Sequence, residues 1–259
     1  MTPDKQDALQ SFIEHHVTHH AGSTDVWNLP FLHVPVLEWF HYDSVMLFVV
    51  LAVLLSFGLA VRRAYGTLPK GVAAVAEMYV LFIRDDIVYA NFGRKVGRPF
   101  VSFFCTLFIF ILTCNLFGLI PLFSTATGNV NVTAGLALIF MFTALGATLK
   151  LHGFRGFKDA FVPHGLPGPL VPLMTVLEVL SFFSRVFALT IRLFCNMLAG
   201  HMIIFSMLGL IAIFGWVASP AFIVVIGLFF FELFVACLQA YIFTLLSAIF
   251  MSMMVNPEH

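Results

Sequence analysis

"EVLSFFSRVFALTIRLFCNMLAGH", residues 178–201, carries Glu178, Arg185 and Arg192 into a run that is otherwise almost wholly apolar, and the next charged side chain is Glu232. How this stretch meets a membrane decides the fold. The apolar segment 170–218 is too long for one ordinary span and short for two spans with a loop. Two spans meeting near residue 195 would leave Arg192 near a membrane surface. A single long, tilted helix through about residue 205 would carry it into the interior. "ASPA" (218–221) is the next turn signal.

The rest of the chain supports a membrane setting. Of 259 residues, 61% are hydrophobic and 10% charged, with a mean hydropathy of +1.01, whereas soluble domains are nearer half apolar and a quarter charged. The excess sits in long uninterrupted apolar runs, the signature of transmembrane helices. A formal net charge of zero offers no basic footprint for nucleic acid. Cys105, Cys114, Cys195 and Cys237 all lie inside apolar runs without a C-x-x-C pair, which argues against a disulfide framework or a zinc site. The start lacks a basic segment followed at once by an apolar core, so it does not read as a signal peptide. "HHVTHH" (15–20) sets His15/His19 and His16/His20 one helical turn apart, a spacing that could bind metal, though the stretch reads first as part of a solvated or interfacial tail.

Charge placement orients the chain. Residues 44–61 form a first span, followed by Arg62, Arg63 and Lys70, which mark the cytoplasmic side. The polar tail 1–43 is then outside. Residues 71–92 are apolar but interrupted by Glu77, Arg84, Asp85 and Asp86, the pattern of an amphipathic helix on the membrane surface. Spans at 99–122 and 132–149 follow, joined by the uncharged "STATGNVN" (124–131). Lys150, Arg155 and Lys158 then open a Gly/Pro-rich cytoplasmic loop. A final helix covers 222–254. One tilted helix at 170–205 makes five spans with the tail 256–259 inside; two spans there make six with the tail outside.

Helical spacing organises the polar residues of the last two helices. Glu178, Arg185 and Arg192 are seven apart and line one stripe. Asn196 and Gly200 lie one and two turns beyond, His201 is rotated to the side, and Glu232 and Gln239 share a face of the last helix. With Arg192 at mid-membrane, Glu178 falls roughly 20 Å toward the cytoplasm and His201 roughly 13 Å toward the outside. With Gln239 level with Arg192, Glu232 falls roughly 10 Å outward, near His201. One acid thus faces inward and an acid/His pair outward, with a fixed cation between them. A buried arginine costs roughly 2.5–3.5 kcal/mol on insertion scales and therefore needs a reason. It cannot relay protons, but it attracts a carboxylate, whereas Glu and His suit a proton relay. Arg185 reads as an interfacial charge and Asn115 as a structural polar contact.

These residues resemble a known family. "IRLFCNMLAGH" (191–201) is similar to the signature of subunit a of the F-type rotary ATP synthase. The stretch 178–201 resembles that family's fifth helix, "FELFVACLQAYIFTLLSAIF" (231–250) its last helix, and "NLFGLIP" (115–121) and the Lys150 region also fit. The resemblance covers about residues 40–255. It implies an all-α polytopic membrane protein of five transmembrane helices plus a membrane-surface amphipathic helix, the last two helices forming a long tilted hairpin. It implies a non-catalytic, proton-conducting stator subunit with no cofactor or metal. Its partners would be the c-subunit ring, the b-subunit peripheral stalk, other synthase subunits and lipid. The site residues it implies are Arg192 facing the ring carboxylate, Gln239 and Asn196 at the same contact, His201 and Glu232 in the outer half-channel, and Glu178 in the inner one. The membrane would be a bacterial inner membrane. The chain departs from the family in having Val186 where many members have Pro, which leaves the inner end of the helix straighter, and Cys195 where Gly or Ala is usual. The alternative from another class is a secondary transporter with an Arg-centred anion site.

Overall fold

A computed structural model describes residues 42–64, 71–119, 126–159, 170–214 and 219–255. The His-rich tail, the C-terminal tail and the side chain of His201 lie outside the described residues. Among those described, every regular element is helical: α1 (Tyr42–Ala64), α2 (Val72–Phe82), α3 (Ala90–Gly97), α4 (Val101–Gly118), α5 (Val130–Asp159), α6 (Val171–Phe214) and α7 (Ser219–Val255). Apolar runs of this length take helical form because lipid offers no partner to an open backbone amide or carbonyl. Prolines stand where a helix tolerates them: Pro99 in the short 3₁₀ turn Arg98–Phe100 ahead of α4, and Pro172 and Pro220 in the first turns of α6 and α7.

Among the described residues, four stretches are long and apolar enough to cross a membrane: Ala73–Gly118, Val130–Gly153, Val171–Ile211 and Ile223–Val255. A shorter apolar stretch, Met46–Leu59, lies in α1. The protein is an all-helical polytopic membrane protein. The segment 170–218 does not break near residue 195: α6 is a single helix of 44 residues, roughly 66 Å long, about twice the hydrocarbon thickness of a bilayer. Val186 is buried inside it without a kink, as expected where proline is replaced by a residue that keeps its N–H. The α5 helix runs regularly to Gly153, whose φ of 66° breaks it just before Arg155 and Lys158.

The interrupted segment 71–92 is not one regular α-helix. A seven-residue π-helical turn, Ile83–Tyr89, separates α2 from α3, and Gly93 in α3 adopts φ 71°, ψ 166°. The wider turn shifts the helical phase. Ile83, Ile87 and Val88 stay buried while Asp85 and Asp86 remain exposed.

Contacts cluster into two units. One comprises the described parts of Met1–Leu55, Phe110–Val132 and Leu193–Ala240; its core includes Val50, Ile111, Leu193 and Met197, all nearly inaccessible. The other comprises the described parts of Ser56–Ile109, Thr133–Arg192 and Tyr241–His259. Its core includes Phe104, Phe140, Leu189 and Phe243, with tilted ring pairs at centroid distances of 5.3 Å (Phe92–Phe100) and 5.9 Å (Phe92–Phe104). The Tyr79 hydroxyl donates to the Cys105 carbonyl. At the end of α7, the Ser252 hydroxyl donates to the Asn91 carbonyl at 2.6 Å, and His152 Nε2 lies 2.6 Å from the Val255 carbonyl. These contacts tie the last turn of α7 to α3 and α5, where a helix end otherwise leaves carbonyls unpaired.

Candidate functional site

The α6 helix has two unlike faces. Phe182, Val186, Leu189, Leu193 and Met197 recur every three or four residues and are buried. Opposite them Ser184, Ala188, Arg192, Cys195 and Ala199 form an exposed stripe, so the arginine stands among small side chains. Among the described residues Arg192 has no ion pair and no hydrogen bond. Toward the start of the helix, Glu178 and Arg185 are partly exposed and form an ion pair of 3.8 Å.

In the unit that contains the end of α6, the sequence-predicted residues meet around one acid. Glu232 on α7 is 7% exposed. Neither of its carboxylate oxygens has a hydrogen-bond partner among the described residues. It borders a cavity of about 150 Å³ whose walls include Asn196, Ala199, Gly200, Ile203 and Phe231. That volume has room for more than one water molecule. A buried carboxylate is costly unless something solvates it or shares its proton, and among the described residues nothing does so for Glu232.

Gly200 creates the space. A Cβ built on it would stand 2.6 Å from the Glu232 carboxyl carbon and closer still to one oxygen, inside any real contact distance. The glycine sits in the interior of a helix, where it costs roughly 0.5–1 kcal/mol relative to alanine. That local cost is the signal by which the sequence could have marked it as a point of close approach. Gln239 is also buried in this unit, and its Nε2 lacks a partner among the described residues, but it does not line the cavity.

Asn115 has the structural role its position suggested. Completely buried, it donates from Nδ2 to the Ala236 carbonyl at 3.3 Å and accepts the Thr127 hydroxyl at 3.0 Å. It therefore holds α7 one turn beyond Glu232. Two contacts were missed by spacing alone: Gly200 as the seat of the Glu232 carboxylate, and Arg185 as the partner of Glu178. Among the described residues no group of three His, Cys, Asp or Glu side chains could hold a metal ion. His201 lies on α6 one residue past Gly200.

Comparison with known proteins shows the family. Residues 44–252 match the ATP synthase A chain family. The chain is 39% identical to ATP synthase subunit a of Chloroherpeton thalassium, an alignment covering 99% of this chain and 78% of that protein. It is 41% identical to ATP synthase subunit a of Anaeromyxobacter dehalogenans strain 2CP-C, covering 80% of this chain and 55% of that protein. It is 43% identical to ATP synthase subunit a of Myxococcus xanthus, covering 74% of this chain and 64% of that protein. The chain thus spans between about half and two thirds of the length of the last two relatives. A helical membrane protein matched over this length belongs to the ATP synthase A chain family.

Proposed function

We propose that this chain is the proton-channel stator subunit of an ATP synthase, a non-catalytic membrane subunit that provides two offset half-channels and couples proton translocation to rotation of a c-subunit ring. The single observation behind it is the Glu232 carboxylate, buried without a hydrogen-bond partner among the described residues, seated where Gly200 lacks a side chain and bordering a cavity.

The proton path runs in two halves. From the outside a proton passes His201 and Glu232 and neutralises a ring carboxylate that has just left Arg192. The neutral carboxyl crosses lipid at little cost, whereas the anion would not. After nearly a full turn it reaches the inner half-path and releases its proton past Glu178. Arg192 attracts the anion so formed and, because a guanidinium keeps its proton, blocks a direct leak. Gln239 and Asn196 belong to the same ring contact. The exposed stripe of Ser184, Ala188, Cys195 and Ala199 supports this role for the arginine face, since small side chains let another helix slide past closely.

The architecture that goes with this function is a single membrane domain, 44–255, of five spans and a membrane-surface helix. The helical run Ala73–Gly118, 46 residues long and kinked at Gly93, supplies the surface helix and one span. The helices α6 and α7 form the long tilted hairpin. The tail 1–43 lies outside, the tail 256–259 in the cytoplasm, and the membrane is a bacterial inner membrane. The b-subunit peripheral stalk is the remaining partner.

The test is Arg192→Ala in the assembled complex. ATP-driven proton pumping into inverted vesicles is abolished, while passive proton leak persists or rises. Coupled pumping at the parent rate would refute the proposal.

A further inference from the structure

Arg185 lies in the unit that holds the beginning of α6 and the end of α7. It is seated on three sides. One terminal guanidinium nitrogen is 3.8 Å from Glu178 Oε1. The other is 3.9 Å from the Met253 sulfur. The central carbon stands 5.3 Å from the centroid of the Phe250 ring. The arginine side chain is 23% exposed, against 41% for the acid it faces. Seven residues of α6 separate the two, a rise of roughly 10.5 Å. Helical side chains lean toward the helix N-terminus, so Arg185 reaches back toward Glu178, and only a long side chain closes the gap.

The α7 helix supplies the seat. A guanidinium over an aromatic face is attracted by the ring quadrupole, and arginine stacks there better than lysine. An ion pair of 3.8 Å draws the carboxylate toward one place, yet it is longer than a hydrogen bond, so it leaves the carboxylate oxygens open to water. An interfacial charge needs neither the ring nor the thioether. We propose that Arg185, held on Phe250 and Met253 of α7, is a positioning residue that fixes the Glu178 carboxylate at the inner mouth of the proton path. This rests on the reading of Glu178 as the inner half-path acid.

The experiment measures passive proton conduction through the membrane sector after its catalytic sector is stripped, driven by a potassium diffusion potential and normalised to assembled complex. Glu178→Gln and Arg185→Gln are each expected to slow conduction several-fold, and the double variant to be no slower than the slower single. Arg185→Lys, which keeps the charge, is expected to recover part of the rate. Should Arg185→Gln fail to assemble, Phe250→Leu makes the same test by removing the seat: it slows conduction with Glu178 present and has no further effect in Glu178→Gln. Additive losses would overturn the inference, because a residue that only packs α6 against α7 acts independently of the acid. A parent rate in Arg185→Gln beside a slowed Glu178→Gln would overturn it while leaving Glu178 in the path. A parent rate in Glu178→Gln would remove Glu178 from the path and the inference with it.

Discussion

Gly200→Ala isolates the seat of the Glu232 carboxylate. The added methyl would stand 2.6 Å from the carboxyl carbon and 3.2 Å from Cγ, where ordinary contact begins at 3.4 Å. The obstructed atoms are the tip of a flexible side chain, so the backbone has no need to move. Turning Glu232 off its rotamer costs about 0.5–1.5 kcal/mol. Replacing glycine by alanine inside a helix returns about 0.5–1 kcal/mol. The two nearly cancel, and the thermal stability of the purified subunit in detergent is expected to stay within about 1 kcal/mol of the parent. The carboxyl carbon must nonetheless retreat by 0.8 Å to reach ordinary contact with the methyl. Misplacing a reacting group by 1 Å costs about a hundredfold in rate, so ATP-driven proton pumping, followed with a fluorescent pH probe and normalised to assembled complex, is expected to fall at least about tenfold. Glu232→Asp, shorter by one methylene, adds little further loss to the Gly200→Ala background, though it slows the parent. Pumping at the parent rate in Gly200→Ala would refute the idea that the glycine exists to seat this acid.

Exchanging the outer pair, His201→Glu with Glu232→His, is expected to preserve more pumping than either single change; equal damage from all three would show that the two do not act jointly. Asn115→Leu takes the donor from the Ala236 carbonyl and the acceptor from the buried Thr127 hydroxyl, and is expected to destabilise the protein by about 1–3 kcal/mol. An unchanged unfolding midpoint in detergent would show that Asn115 is not the tie that holds α7 at this point.

Much of the fold was legible because lipid leaves the backbone few choices. The apolar runs at 44–61, 132–149 and 222–254 all reappear as helices, extended at each end, by ten residues where the second runs on to Asp159, because backbone hydrogen bonding continues into the flanks where hydropathy has already fallen. The surface segment was legible as interrupted, but not as a π turn: Ile83 and Ile87, four apart, share a face in a regular α-helix as well, so their spacing carries no mark of it. Within the site, residue types and helical spacing pointed to Asn196 and Glu232, and the structure brings both to one cavity. Spacing did not reveal that Glu178 is paired, because its partner Arg185 is held by Phe250 and Met253 from a different helix.

The sequence by itself determined that this is a helical membrane protein and which polar side chains enter apolar helices. Those properties follow from transfer energies and a fixed helical repeat, both of which act locally. Only the tertiary structure decided that residues 171–214 form one helix, since one long helix and two short spans satisfy the same hydropathy. It alone decided that the Glu232 carboxylate occupies the place of an absent Cβ at Gly200, and that Arg185 is bound to an acid rather than lying free at the interface. Each is a contact between residues far apart in the chain or between side chains seated by another helix, and its energy depends on distances of a few ångströms that no pattern along the sequence contains.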